Sequence, residues 1–189
     1  QLYRHNPFND QSLSNNYIRG ILEDSRGNLW VGTQFGGLNM LERSSGKWTH
    51  YRYDSTRPHS ITSDHVRGLC EDRNGILWVA LHEGWLCSID TKHPERGFTR
   101  HIFAEQSFKA QCLYEDRKGY LWIGTSTSEA ALYRLSPDRK SVEIMHKTHT
   151  IPSGIAEMEH ITEDRIGAIW IATTGGVLQF DRDKDTFRI

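Results

Sequence analysis

Four times along the chain, a short segment of mixed polarity ends in an acidic pair, crosses a glycine, and enters a five-residue apolar run. The runs are "LWVGT" at 29–33, "LWVAL" at 77–81, "LWIGT" at 121–125 and "IWIAT" at 169–173. Each is too short for a helix and rich in β-branched and aromatic residues, which predicts a strand buried on both faces. The segments before them, "YIRGILED", "HVRGLCED", "AQCLYED" and "EHITED", predict a first strand. Those after them, "GLNMLE", "WLCSID", "ALYRLS" and "VLQFDR", predict a third. A fourth follows in "KWTHYRY", "GFTRHIF", "SVEIMHK" and "TFRI". No 3.6-residue period persists beyond a turn or two.

The units are copies of one another. "EDSRGNLWVGT", "EDRNGILWVAL", "EDRKGYLWIGT" and "EDRIGAIWIAT" begin at Glu23, Glu71, Glu115 and Glu163, at steps of 48, 44 and 48 residues. The connectors agree too: "YRHNPFNDQSLSNNYIRGI" from Tyr3 aligns with "YRYDSTRPHSITSDHVRGL" from Tyr51. A repeat of about 45 residues with four antiparallel strands is the blade of a β-propeller. The expected fold is therefore all-β, a propeller with four recognisable four-stranded blades near 15–54, 63–104, 108–149 and 157–189. Residues 1–5 are expected to form a strand of a preceding or closing blade. Gly27, Gly75, Gly119 and Gly167 are expected in the first hairpin turn with positive φ, and the Asp before each turn is expected to accept its amides. Trp30, Trp78, Trp122 and Trp170 recur in phase and should fill the layers between blades.

Composition narrows the function. With 23 Lys plus Arg against 24 Asp plus Glu, and no block of like charge, the chain lacks the basic footprint of a nucleic-acid or membrane binder. No apolar run approaches the roughly 20 residues of a membrane helix. The opening "QLYRHNPFND" reads as the interior of a longer protein, so targeting signals are expected to lie outside it. Cys70, Cys87 and Cys112 have no metal-ligand spacing and read as small strand residues, with one disulfide pair left open.

The motif "NNYIRGILEDSRGNLWVGTQFGGLNMLERSSGKWTHY" with its connector "YRHNPFNDQSLSNN" resembles the two-component regulator propeller repeat, and the resemblance covers essentially the whole chain. It implies a sensor segment of a large bacterial receptor on the periplasmic side of the inner membrane. In that family the propellers precede a β-sandwich, a membrane helix, a histidine kinase and frequently a DNA-binding regulator, and characterised members respond to glycan breakdown products. The family normally builds seven-bladed rings, whereas four repeats stand here. Part of a ring, a small closed ring and half of a dimeric ring all remain open. The implied partners are an oligosaccharide and either a second copy or further blades of the parent. Contact with a membrane comes only through the parent, and none with nucleic acid is expected.

Within a repeat protein, groups present in every unit serve the scaffold. The four Glu-Asp pairs are therefore assigned to the turns, since a glycosidase needs two carboxylates in unlike environments at one locus. Groups that break the repeat are the candidates. The connectors into the first strands supply Asn16, Arg19, His65, Arg67, Lys109, Gln111, Glu159 and His160. The loops after the second strands supply Gln34, Phe35, His82, Glu83, Trp85, Ser126, Thr127 and Thr174. Of these, Arg19, Gln34, Phe35, His65, Arg67, His82, Glu83, Trp85, Gln111, Glu159 and His160 are taken as the ligand-binding set, because aromatic faces beside hydrogen-bonding groups suit a sugar. The competing reading is ordinary solvated loop residues. No cofactor is expected, and no metal: neither zinc spacing among the histidines nor a calcium-loop ligand count is present. The segment is expected to be non-catalytic. The alternatives are an interaction or dimerisation scaffold, and a propeller lyase or hydrolase using Glu83 or His82.

Overall fold

A computed structural model describes residues 1–83, 86–101, 109–126, 131–145, 155 and 157–188. The chain divides into two compact units, residues 1–107 and 108–189. In the first unit, β1 (Ile18–Glu23), β2 (Leu29–Thr33), β3 (Leu38–Glu42) and β4 (Lys47–Tyr51) form one antiparallel sheet. β5 (Val66–Glu71), β6 (Ile76–Leu81), β7 (Leu86–Asp90) and β8 (Thr99–His101) form the next. In the second unit, β9 (Ala110–Glu115), β10 (Leu121–Thr125), β11 (Leu132–Leu135) and β12 (Val142–Ile144) make the third sheet. β13 (Met158–Glu163), β14 (Ile169–Thr173), β15 (Gly176–Asp181) and β16 (Thr186–Arg188) make the fourth. Each sheet is ordered as its strands run in sequence, as successive hairpins require. Residues 1–5 form no strand, and His5 makes a β-bridge with Leu13.

The first hairpin of every sheet is closed by its aspartate. Asp24 Oδ1 accepts the amides of Arg26 (3.0 Å) and Asn28 (2.8 Å), while Oδ2 accepts the indole N–H of Trp30 at 2.7 Å. The same indole bond runs from Trp78 to Asp72 (2.9 Å), Trp122 to Asp116 (2.7 Å) and Trp170 to Asp164 (2.7 Å). The turn glycines all carry positive φ, from 78° to 90°. Turn and buried strand are thus joined by one side chain, six residues from the tryptophan it holds.

In the first three sheets the second strand is buried along nearly its whole length. In the first sheet, Trp30 and Leu38 face the second sheet and join Leu77, Val79 and Ile89 there. Val31 lies on the other face with Leu41 and Trp48, under Leu13 of the connector. Gly32 is dictated by this packing, since a Cβ there would lie 2.5 Å from Val66 Cγ1. In the second unit, Trp122 packs with Ile169, Ile171, Leu178 and Phe180 of the fourth sheet. Trp30 and Trp122 therefore fill layers between sheets as expected. Trp170 does not: on the opposite face of the fourth sheet from that cluster, it stays 36 % exposed and Val177 63 % exposed.

In two of the four pairs the glutamate serves the neighbouring blade, whereas Glu23 meets Arg43 and Glu115 meets Arg139 within their own blades. Glu71 accepts the Ser25 amide (2.7 Å) and hydroxyl (2.9 Å) from the turn of the first sheet. Glu163 accepts the Arg117 amide (2.8 Å) from the turn of the third. Arg182 adds a buried link, with Nη2 2.8 Å from Asp116 Oδ2 and 3.3 Å from Glu163 Oε1.

The connectors are folded copies. Asn16 Oδ1 accepts the His5 amide and Asp64 Oδ1 the Tyr53 amide, each at 2.8 Å. Ser12 and Ser60 each bond the backbone six residues back. Cys70, Cys87 and Cys112 are free thiols in strands. Burial pushes the Cys112 thiol up to about 12, and its Sγ donates to the Met158 carbonyl at 3.1 Å.

Replacing Asp24 by Ala removes acceptors for two turn amides and a buried indole. It should lower the stability of the first unit by about 2–4 kcal/mol, as loss of buried charge-assisted hydrogen bonds does. Urea unfolding followed by tryptophan fluorescence measures this. Glu71→Ala should cost less, about 1–2 kcal/mol, because it leaves the hairpin itself intact.

Candidate functional site

Antiparallel pairing places the start of each first strand beside the end of the second. The Gln34 amide donates to the Tyr17 carbonyl (2.9 Å), His82 to His65 (3.0 Å), Ser126 to Lys109 (2.9 Å) and Thr174 to Glu157 (3.1 Å). Just inside this edge, every sheet carries the same register shift, between Ile18 and Gly20, Val66 and Gly68, Ala110 and Cys112, and Met158 and His160. The unpaired residues are Arg19, Arg67, Gln111 and Glu159. A bulge of this kind re-aims one side chain without changing the strand on either side. The backbone device is constant while the side chain it presents is not.

In the first unit, the predicted residues converge. Arg19 Nη2 donates to Gln34 Oε1 at 2.7 Å, and fifteen residues apart in the same way Arg67 Nη2 meets His82 Nδ1 at 3.0 Å. A run of rings crosses from one sheet to the next. Tyr17 stands edge-on to Phe35 with centroids 6.1 Å apart, Phe35 is 5.9 Å from His65, and His65 is 4.5 Å from His82. Tyr17 and Phe35 are exposed, at 67 % and 57 %, and Glu83 is exposed in the following turn. The loop carrying Gln34 and Phe35 is braced by Thr33, whose Oγ1 donates to the Gly37 carbonyl (3.0 Å) and accepts the Gly36 amide (2.9 Å). Leu81 takes this place in the second sheet and has no hydroxyl to do the same. Trp85 and Thr127 lie outside the described residues.

In the second unit, Gln111 Nε2 donates to Glu159 Oε2 at 3.0 Å, joining the bulges of adjacent sheets. His160 does not join them. The register pairs it with Ala172, one residue past the bulge, as Cys112 pairs with Gly124 in the third sheet. Asn16 is taken up in the connector by the His5 amide. Among the described residues, no group of three or more His, Cys, Asp or Glu could hold a metal ion.

His65 is the electrostatic focus of the first unit. Burial first, then chiefly the charge of Arg67, with Arg19 adding to it, lowers its pKa from 6.5 to about 4, so the ring is neutral at neutral pH. Unfolding frees it to take a proton near pH 6.5. Below that pH the unfolded state binds more protons, and the first unit should lose stability as pH falls from 6.5 toward 4, levelling beneath. Two-dimensional NMR should find the His65 ring unprotonated at pH 5.5. His65→Gln should flatten that part of the dependence of the urea midpoint on pH.

Comparison with known proteins bears on this geometry. Residues 12–35, 60–83 and 106–127 match the sequence model of the two component regulator propeller. No curated protein matches the chain. A solved structure from B. thetaiotaomicron, the extracellular domain of a hybrid two component system, superposes with a TM-score of 0.80 at 22 % identity, covering 98 % of this chain and 25 % of that one. A second extracellular domain from the same organism, of a one component system, gives 0.74 at 20 % identity, covering 93 % and 24 %. Virginiamycin B lyase from Staphylococcus aureus gives 0.70 at 14 % identity, covering 90 % and 54 %. The chain thus spans about a quarter of the two extracellular-domain structures and about half of the lyase. At these identities the likeness shows the β-propeller fold, and three segments of the chain match the two component regulator propeller repeat.

Proposed function

We propose that the chain is a sensor segment of an extracytoplasmic two-component receptor, recognising a glycan-derived ligand at the bulge edge of its blades or relaying its binding. One observation carries this reading. The four sheets repeat the same bulge yet present Arg19, Arg67, Gln111 and Glu159 there, and within the first unit open rings at Tyr17 and Phe35 accompany the two arginines. Rings supply stacking surface for a sugar, and guanidinium and amide groups supply hydrogen bonds to its hydroxyls. The similarity to extracellular domains of two-component systems supports an extracytoplasmic setting, with a histidine kinase and phosphorelay in the parent protein. The ligand would act by linkage, shifting the receptor toward its signalling arrangement by no more than its difference in affinity for the two states.

A catalytic role finds little support in the recurring carboxylates, which are engaged in turns and between blades. The similar lyase shares the fold, and fold alone assigns no chemistry. An interaction scaffold has its own support in the exposed Trp170 and Val177. It predicts a mass that rises with concentration and no small-molecule binding, which sedimentation velocity would reveal.

Isothermal calorimetry against a panel of oligosaccharides tests the sensing role. At least one member should bind, and Phe35→Ala should weaken it about tenfold, equivalent to about 1.4 kcal/mol. Silence across the panel would exclude direct sensing by this segment.

A further inference from the structure

We infer that the bulge edge of the first unit selects an anionic saccharide, one carrying a carboxylate or a sulfate, held by Arg19 and Arg67 with its ring against Phe35 and Tyr17. The inference rests on the glycan-sensing reading of this edge and adds the charge of the ligand.

The argument begins with residue type. Both bulges of this unit present arginine, whose planar fork matches the paired oxygens of a carboxylate or sulfate better than lysine does. Arg19 is exposed in the strand, and its hydrogen bond goes to an uncharged acceptor, Gln34 Oε1, so its charge is not cancelled by that contact. Arg67 meets the His82 ring. Among the described residues, Asp64 and Glu83 are the acidic side chains on the connector and the turn at this edge. Asp64 is already engaged by the Tyr53 amide (2.8 Å) and by Arg52 (3.3 Å), and Glu83 is exposed in the turn beyond β6.

The field at this edge has a built-in reporter. His65 lies between the rings of Phe35 and His82, and the positive charges of Arg67 and Arg19 disfavour its protonation. An anion placed among these groups would relieve that mutual repulsion, whereas a neutral sugar would leave it unchanged. The exposed Phe35 and Tyr17 rings flank the cations on the side of the first sheet, so an apolar sugar face and an anionic substituent can be held together.

Calorimetry on the full 189-residue chain would compare a digalacturonate, a sulfated disaccharide and neutral galactobiose. At least one anionic probe should bind ten times or more tightly than galactobiose, and the preference should shrink as salt rises from 0.05 to 0.5 M. The uronate and sulfate arms identify which group is read. Arg19→Gln with Arg67→Gln should bring the anionic probe down to the neutral level, while the paired Lys substitutions, which keep the charge, should retain part of the preference. Equal or tighter binding of galactobiose overturns this inference and leaves the sensing reading standing. Silence from all three probes, with a neutral oligosaccharide from the wider panel binding, also overturns this inference alone. No binding by any sugar overturns both.

Discussion

The carboxylate at the first turn of each sheet is the constraint on which the others depend. A tight hairpin directs several amides inward, and a strand buried on both faces brings an indole N–H with no water to meet it. Leaving such donors unpaired would cost on the order of 1–3 kcal/mol each. Asp24 satisfies amides and indole together, and Asp72, Asp116 and Asp164 hold their own tryptophans the same way. Once the indole is tethered, its ring is committed to one face of the sheet. In the first sheet that face meets the second, and the choice of Gly32 opposite Val66 follows from how closely the two then approach.

This arrangement consumes the acidic residues that would otherwise suggest an enzyme. Within each pair, the aspartate closes the turn of its own blade, and Asp116 also meets Arg182 of the next. The glutamate, at Glu71 and Glu163, reaches back to the turn of the blade before it. With the turn and the interface both specified by the pair, the far end of the first strand is released from scaffold duty. A bulge there costs the sheet one ladder position and gains a side chain whose identity the fold does not dictate. Arginine, arginine, glutamine and glutamate can therefore stand at equivalent places without disturbing the repeat.

Much of this is legible in the chain. The repeat, the four strands per blade and the turn role of the aspartates all follow from periodicity and from glycine at a fixed offset. The indole–carboxylate bond is present as a six-residue spacing in all four units, and is missed when tryptophan is weighed only as apolar bulk. The reach of Glu71 to Ser25 is hidden for a different reason: it joins residues 46 apart, and only the stacking of sheets brings them together. The bulge has no residue signature, which is why Arg19 and Arg67 can be chosen as candidates but not paired with Gln34 and His82. His160 stands one residue past the bulge, and one step along a strand moves a side chain to another face. Thr33 shows the reverse: it recurs as scaffold, and its loss at Leu81 marks where the second sheet departs from the rule.

The placement of the candidate edge also bears on how binding could be felt elsewhere. Arg19 and Gln34 belong to the first sheet, His65, Arg67 and His82 to the second and its connector. A ligand held from both sides would touch two sheets whose spacing is set by the Trp30 layer and by the Glu71 clasp on Ser25. Its affinity would then depend on that spacing, and by reciprocity its binding would favour the spacing that suits it. Packed layers resist continuous deformation, so such a dependence acts by choosing between discrete arrangements. The same clasp that makes the scaffold rigid thereby makes the pair of sheets a suitable lever, provided that the ligand bridges them. A ligand confined to Arg19 and Phe35 would gain affinity and transmit nothing.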